Sequence, residues 1–128
     1  MGVLFTGAFE HFKFGLQKIT YTKNDSGSKT IQLPIGAVIL QIGVSVSEAF
    51  NATTNTISVG TEKSATKFFA AQAAGAVANA ANSVFLTTTD DERTITVGYN
   101  GTGAAATAGK AEIGVYYALP SAREVDYR

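Results

Sequence analysis

The clearest strand in the chain reads Val38-Ile39-Leu40-Gln41-Ile42-Gly43-Val44-Ser45-Val46. Its even-numbered positions are all apolar, which predicts that they share the buried face of one strand. Farther along, Thr56-Ile57-Ser58-Val59-Gly60-Thr61 alternates again, after the turn-forming residues 50–55. We therefore predict a hairpin between these two strands, closed by a moderately long loop.

The same alternation recurs near the end of the chain. Residues 93–99 place Ile95, Val97 and Tyr99 on one side, and residues 112–119 do the same for Ile113, Val115, Tyr117 and Leu119. We predict that these two strands pair antiparallel across the segment 100–110. Shorter strand candidates bring the number to about eight: Phe12 to Leu16, Ile19 to Thr22, Thr30 to Leu33 and Val84 to Thr88.

Many short strands with turn residues between them favour an all-β antiparallel sandwich or barrel over a βαβ fold. The segment Lys63 to Asn82 departs from this pattern, because its alanines favour a helix while Gly75 and the asparagines weaken one. We predict a short helix or an ordered crossover loop there. The length suits a single domain over 11–119, with an N-terminal arm at 1–10 and a C-terminal tail at 120–128.

Composition narrows the classes of function. Lys+Arg and Asp+Glu are balanced at 10 each, so no net field attracts nucleic acid or a membrane surface, and we predict neither as a partner. Charged residues make up 16% of the chain, a lightly charged surface that is easier to reconcile with an assembly than with a dilute monomer. The absence of cysteine excludes disulfides and thiol chemistry. No signal-like or membrane-spanning stretch is visible, and we expect a soluble protein.

Two glycine-rich motifs resemble nucleotide-binding loops. Gly101-Thr102-Gly103-Ala104-Ala105-Ala106 matches a relaxed dinucleotide pattern, but another strand follows where a helix N-terminus would be needed. The pair Gly109-Lys110, preceded by Gly103, misses the phosphate-loop spacing by one residue, and Ala111 stands where Mg²⁺ would need Ser or Thr. We predict that both motifs are turns and that the chain binds no cofactor.

Catalytic and metal sites also lack candidates. His11 is the one histidine, and it stands beside the predicted arm. The run Asp90-Asp91-Glu92 lacks the spaced oxygen ligands and the glycine of a calcium loop, and reads as a solvated turn. We therefore expect no catalytic residue and no metal site, and we predict that the protein is not an enzyme.

Exposed aromatic residues are the best candidates for partner binding. The N-terminal arm carries Leu4, Phe5 and Phe9, close to Phe12, and these residues either cover their own domain or contact a neighbouring subunit. Tyr116 and Tyr117 are adjacent in a strand, so one of them must face outward. With Tyr99, they are also candidates for stacking on sugar rings. The predicted partner-binding residues are Leu4, Phe5, Phe9, Phe12 and Tyr116.

Four segments together resemble a β-rich module of tailed-bacteriophage virion proteins. They are Leu33-Pro34-Ile35-Gly36-Ala37-Val38-Ile39, Ala49-Phe50-Asn51, Thr56-Ile57-Ser58-Val59-Gly60-Thr61, and the loop from Gly101 to Ala111. The resemblance covers roughly Thr30 to Leu119. Proteins of this kind include capsid decoration (cement) proteins and head-fibre or tail-fibre domains. The resemblance implies a jelly-roll-like sandwich that forms trimers or other small homo-oligomers.

The resemblance also implies a function. A compact domain without heptads or repeats fits a decoration protein better than a fibre, which usually adds a shaft or stem. The expected partners are the major capsid protein and other copies of this chain, and the expected location is the capsid surface of the virion, after synthesis in the host cytoplasm. The alternative is a fibre or a receptor- or glycan-binding module of the phage head or tail.

Overall fold

Eight β-strands form the part of the chain that the structure, a computed structural model, describes, namely residues 12–88 and 92–120. In chain order they are β1 Phe12–Thr22, β2 Ser28–Gln32, β3 Val38–Glu48, β4 Thr54–Thr61, β5 Phe69–Ala73, β6 Ala78–Thr87, β7 Thr94–Thr102 and β8 Lys110–Pro120. Within these residues no helix is long and apolar enough to cross a membrane. The predicted arm at 1–10 and the tail beyond residue 120 lie outside the described residues.

The strands form two four-stranded antiparallel sheets. Sheet A has the order β1-β8-β3-β6, and sheet B has the order β2-β7-β4-β5. β1 pairs with β8, β2 with β7, β3 with β6 and β4 with β5. These pairs are those of one long antiparallel hairpin that is folded over to form the two sheets. This is jelly-roll topology. The predicted all-β, eight-stranded antiparallel sandwich is confirmed.

Both predicted strand pairings are wrong. β3 lies in sheet A and β4 in sheet B, and β7 and β8 are divided between the sheets in the same way. The reason is that alternation fixes which face of a strand is buried, but says nothing about which sheet the next strand joins. The loop after β3 instead crosses the end of the sandwich, where Phe50 is buried and its N–H donates to the Ala74 carbonyl at 3.0 Å.

The predicted helix or crossover loop over 63–82 is also wrong, because this segment contains β5 and the first half of β6. Phe68 and Phe69 are both buried, and Ala74 is fully buried in the connection between the strands. Burial of these side chains between the sheets outweighs the modest helix preference of alanine. β1 is also longer than predicted, since the two short candidates at 12–16 and 19–22 form one continuous strand.

The core lies between the two sheets and is aliphatic at its centre. Its largest fully buried side chains are Tyr21, Leu33, Ile39, Ile42, Val44, Val46, Phe50, Ile57, Val59, Val97, Ile95 and Ile113. At its margin the buried Thr88 hydroxyl donates to the Ala37 carbonyl at 2.8 Å, so the polar atom is satisfied.

A β-bulge in β3 shifts the predicted alternation of that strand. The register against both neighbours slips between Ile39 and Gln41, so Ile39 is buried while Leu40 is only half-buried. Ile42, Val44 and Val46 face the core as predicted, but Val38 and Leu40 do not follow them into it. The extra residue thereby leaves Gln41 exposed on the outside of sheet A.

The two ends of the described chain meet at one corner of sheet A. Phe12, the first residue of β1, pairs with Pro120, the last residue of β8. At the other end of β1, Thr22 pairs with Lys110. The segments that precede and follow the sandwich therefore leave from the same corner, at the opposite end of β1 from the β1–β2 and β7–β8 loops.

Candidate interaction surface

On the outer face of sheet A, directly paired residues of neighbouring strands form rows across the sheet, because their side chains point to the same face. We call each of these rows a rank. One rank holds Leu16, Tyr116 and Gln41, from β1, β8 and β3. The rank nearer the chain ends holds Phe14, Ala118 and Val38. The next two ranks towards the other end of the sheet consist of Lys18, Gly114 and Gly43, and then Thr20, Glu112 and Ser45.

Large apolar side chains cluster in the first two ranks. Phe14 is 52% exposed, Leu16 59% and Tyr116 42%. The rings of Phe14 and Tyr116 stack with centroids 6.0 Å apart and 13° between their planes. We call Phe14, Leu16 and Tyr116 the apolar patch. Soluble proteins seldom expose such side chains side by side unless the surface meets a partner.

The local sequence of β1 explains why these residues face outward. Ile19 and Tyr21 pack on or in the core, and Phe14 and Leu16 have the opposite parity in the same strand, so they emerge on the other face. Gly15 points inward, where a Cβ would come within 2.6 Å of the Tyr117 ring. Tyr117 therefore packs on the inner side of the sheet, while Tyr116 faces outward.

The predicted partner-binding residues fall into two groups. Tyr116 is in the apolar patch, and Phe12 begins β1 at the same corner, although its side chain is not among those described. Leu4, Phe5 and Phe9 lie outside the described residues. Phe14, Leu16 and the exposed Phe85 of β6 were missed. Leu16 could have been found from the numbering of the strand. If 12–22 is one strand, the even-numbered Phe12, Phe14 and Leu16 lie on the face opposite to Ile19 and Tyr21.

The other half of the outer face is small and charged. Gly43 and Gly114 are paired, and they leave a shallow hollow of about 290 Å³ bordered by Lys18, Ser45 and Glu112. Lys18 Nζ lies 4.0 Å from Glu112 Oε1, and both side chains are about half exposed. An exposed pair at this distance adds little to stability. The apolar patch and this charged half thus divide one sheet face.

A second concave region lies among the loops at the far end of the sandwich. This loop-end cleft has a volume of about 320 Å³ and is lined by Tyr21, Asp25, Tyr99, Asn100 and the loop residues 103–106, among others. The glycine-rich motif at 101–106 forms part of its wall, and β8 follows it directly. Among the described residues, no three His, Cys, Asp or Glu side chains are grouped so that they could hold a metal ion.

Both tyrosine hydroxyls of the cleft are hydrogen-bonded within the protein. The Tyr21 hydroxyl donates to the Gly27 carbonyl at 2.8 Å, and the Tyr99 hydroxyl donates to Asn55 Oδ1. Burial raises the pKa of both tyrosines. The Tyr99 ring stacks on Phe50 with centroids 4.6 Å apart. Of the three tyrosines considered for sugar stacking, Tyr99 thus lies in the cleft, Tyr116 lies in the apolar patch and Tyr117 packs on the inner face of sheet A.

Asp25 organises the β1–β2 loop at the rim of the cleft. Its Oδ2 accepts the Thr22 backbone N–H at 2.7 Å, and its Oδ1 lies 3.5 Å from Lys29 Nζ. The hydrogen bond from the Thr22 N–H is the main reason that the pKa of Asp25 is lowered, and the Lys29 charge adds to it. Lys29 Nζ also donates to the Thr20 carbonyl at 2.8 Å, which ties β2 to β1.

No protein-family model and no curated protein matches this chain. Among solved structures, a chain of the cyanophage Pam1 capsid asymmetric unit has the same fold, with a TM-score of 0.65 and 27% sequence identity, and the alignment covers 85% of each chain. This chain resembles a phage capsid component. The likeness supports the predicted class, a β-sandwich structural protein of a phage virion, and the association with other capsid proteins that such a location involves.

A second solved structure shares the fold alone. It is described as Bacillus endospore appendages that form a novel family of disulfide-linked pili, with a TM-score of 0.50 and 12% identity over 87% of this chain and 89% of that chain. The present chain has no cysteine, so disulfide linkage of that kind is not open to it.

Proposed function

We propose that this chain is a capsid decoration (cement) protein that binds the major capsid protein on the outside of a phage head. The observation that carries the proposal is the likeness to a chain of the cyanophage Pam1 capsid asymmetric unit over 85% of both chains. Eight strands in one compact sandwich fit a decoration protein.

The apolar patch is the proposed contact with the capsid. It lies beside the corner where residues 1–11 join β1, and that segment adds the apolar residues Leu4, Phe5 and Phe9. Completing the burial of each half-exposed patch residue contributes about 1 kcal/mol, so three residues supply about 3 kcal/mol. That amounts to roughly a hundredfold in dissociation constant.

The proposed role is mechanical. A decoration protein that buries apolar surface across joints between capsid subunits stabilises the closed shell by binding it, and so opposes the outward pressure of packaged DNA. Such a role needs neither turnover nor a cofactor, and the two tyrosine hydroxyls of the loop-end cleft are committed to internal hydrogen bonds. The protein is thus proposed to act on the capsid surface as a structural component.

Cosedimentation with phage capsids that lack this protein tests the proposal. We expect the full chain to bind saturably and to raise the temperature at which the capsids open. Leu16→Lys places a charge in the apolar patch and should weaken binding about tenfold or more. Thr30→Lys is the matched control, because Thr30 is exposed on the other sheet and gains the same charge.

Three further outcomes separate the parts of the proposal. Deletion of residues 1–10 should reduce binding if the arm takes part, and undiminished binding would leave the apolar patch as the sole contact. Equal loss of binding in Leu16→Lys and Thr30→Lys would exclude the patch as the contact. Failure of the unaltered chain to bind any capsid form would exclude decoration altogether.

A glycan-binding module of the head or tail is the second candidate, and the loop-end cleft is the observation that favours it. A cleft of about 320 Å³ with Tyr99 in its wall has the size and aromatic lining that a sugar ring needs. A glycan array distinguishes the two candidates. Binding that is lost in Asn100→Ala and kept in Tyr116→Ala would favour the glycan module.

A further inference from the structure

The free edge of sheet A lies along β6. This strand pairs with β3 on one side, and no strand within residues 12–88 and 92–120 pairs with its other side. From Ala78 to Ser83 the pairing with β3 is regular, and the register slips only beyond Ser83. Alternate residues of this stretch direct their backbone N–H and C=O groups away from β3, and these groups form a ready template for another strand.

From Ala78 to Ser83, β6 carries none of the usual protection of an edge strand. The sequence from residue 68 to residue 89 contains no charged residue and no proline, and the side chains from Ala78 to Ser83 are all small. β1, at the opposite edge of sheet A, carries Lys13 and Lys18. Lysine, proline and bulges are the devices that keep edges from pairing. Along Ala78 to Ser83, β6 has none of these devices, so this stretch is open to another strand. β5, at the edge of sheet B, is also uncharged, but it is only five residues long and its pairing with β4 is irregular.

Two exposed apolar side chains flank this stretch. Val77 directly precedes β6 and is 69% exposed, and Phe85 lies near its end and is 89% exposed. They are eight residues apart, about 26 Å along an extended chain, and Ala81 is midway between them. An antiparallel partner centred on Ala81 would therefore place its own Phe85 opposite Val77 and its own Val77 opposite Phe85.

We propose that β6 pairs antiparallel with β6 of a second copy of this chain, about a two-fold axis at Ala81. Asn79 of one copy then faces Ser83 of the other, and each Val77 meets a Phe85 on both sides of the axis. Sheet A becomes a continuous eight-stranded sheet across the dimer. An isologous contact of this kind uses one surface patch twice.

The chemistry of the edge favours a copy of itself over another partner. A neutral edge gains no ion pair from a charged partner and would bury that partner's charges without compensation. Its own equivalent brings only small side chains, backbone groups that need hydrogen bonds, and the two apolar ends. The small side chains, the backbone groups and the apolar ends of one β6 edge are therefore matched by those of the same edge in a second copy related by a two-fold rotation.

The pairing leaves the proposed capsid contact open, because the apolar patch involves β1 and β8 at the other side of sheet A. It is also independent of the proposed function, since it is measured without capsids. A dimer that carries two such patches would bind a lattice through both at once, with higher avidity than either patch alone.

Cysteine cross-linking tests the register directly, because the chain has no cysteine of its own. Opposed residues in antiparallel strands have Cα atoms about 4.5 to 5.5 Å apart, within the range of about 4.4 to 6.8 Å that a disulfide spans. We expect Ala81→Cys to form a covalent dimer on mild oxidation. Thr30→Cys, exposed on β2, is the matched control and should remain monomeric on a non-reducing gel.

A mixed experiment distinguishes this register from a nonspecific collision. Asn79→Cys alone should cross-link poorly, since two copies of residue 79 would be about 13 Å apart, and the same holds for Ser83→Cys. A mixture of the two variants should give the covalent dimer. Equal cross-linking of all single variants, or none with the mixture, would overturn the proposed register.

Sedimentation of the unmodified chain at micromolar concentration supplies the second readout. We expect a dimer, which Ala81→Lys converts to monomer while Thr30→Lys does not. Both substituted residues are exposed, so folding is expected to survive, and circular dichroism checks it. A monomeric unmodified chain, or a dimer unaffected by Ala81→Lys, would overturn the proposal.

Discussion

The buried ring of Phe50 lies against Gly109 and occupies the space that a Cβ on residue 109 would need. Gly109 also has φ +146°, a backbone conformation that side chains rarely adopt. The two residues bring together the β3–β4 loop and the β7–β8 loop, both of which cross between the two sheets. Their contact closes the core at the loop end of the sandwich.

Gly109→Ala should therefore be strongly destabilising. We expect a loss of about 3 kcal/mol in the free energy of unfolding, because the new methyl group must displace a packed ring and the backbone is strained as well. Gly98→Ala is the control, since a Cβ at that position would meet no atom within 4 Å. Denaturant unfolding measures both variants, and similar values would show that Phe50 can move aside.

Asp25 should make stability depend on pH in the acid range. Its pKa is lowered in the folded state from an ordinary value near 3.8, so its contribution is present above that value and is lost as pH falls through the folded pKa. We expect Asp25→Asn to lower the melting temperature at neutral pH. The difference from the unaltered chain should vanish in strong acid, and a difference that does not change with pH would contradict the assignment.

Tyr21 and Tyr99 should limit stability in alkali. Burial raises the pKa of both hydroxyls above the ordinary value of 10.0, so the stabilisation is present below that value and is lost as pH rises through the folded pKa values. We expect ultraviolet titration to show two tyrosines that ionise late. Tyr99→Phe should remove one of them, and a late phase of unchanged size in that variant would contradict the assignment.

The stacked pair Phe14 and Tyr116 should show energetic coupling. A double-mutant cycle of Phe14→Ala and Tyr116→Ala, followed by thermal unfolding, is expected to give about 0.5 to 1 kcal/mol of coupling. Each single change should also increase solubility, because both side chains are exposed. A coupling indistinguishable from zero would mean that the two rings are merely adjacent.

Strand existence could be predicted from the sequence, whereas strand pairing could not. Alternation marked β3, β4, β7 and β8, because burial of one face leaves a period of two in the residue types. The same alternation fits a hairpin and a crossover between sheets equally well. β5 and the start of β6 were missed because their alanines carry no alternation, and it is pairing with β4 and β3 that holds them extended.

The interaction surfaces were only partly predictable. Adjacent tyrosines in a strand must face opposite ways, so one outward tyrosine could be predicted, and it is Tyr116. In β6, Val84 and Leu86 pack against the core while Phe85 points out. Three consecutive apolar residues do not reveal which of them is exposed. That information comes from the phase of the strand in the sheet, which the pairing with β3 determines.

The pairing of Phe12 with Pro120 has a practical consequence for engineering. A fusion at either terminus joins the sandwich at one corner, beside the apolar patch, whereas the loop between Thr102 and Lys110 lies about 33 Å away at the other end of the strands. A foreign peptide inserted there would project from the end of the domain remote from Phe12 and Pro120. If the domain is used to display peptides, it can therefore be attached at one end of its strands and carry the foreign peptide at the other, and each end can be altered separately.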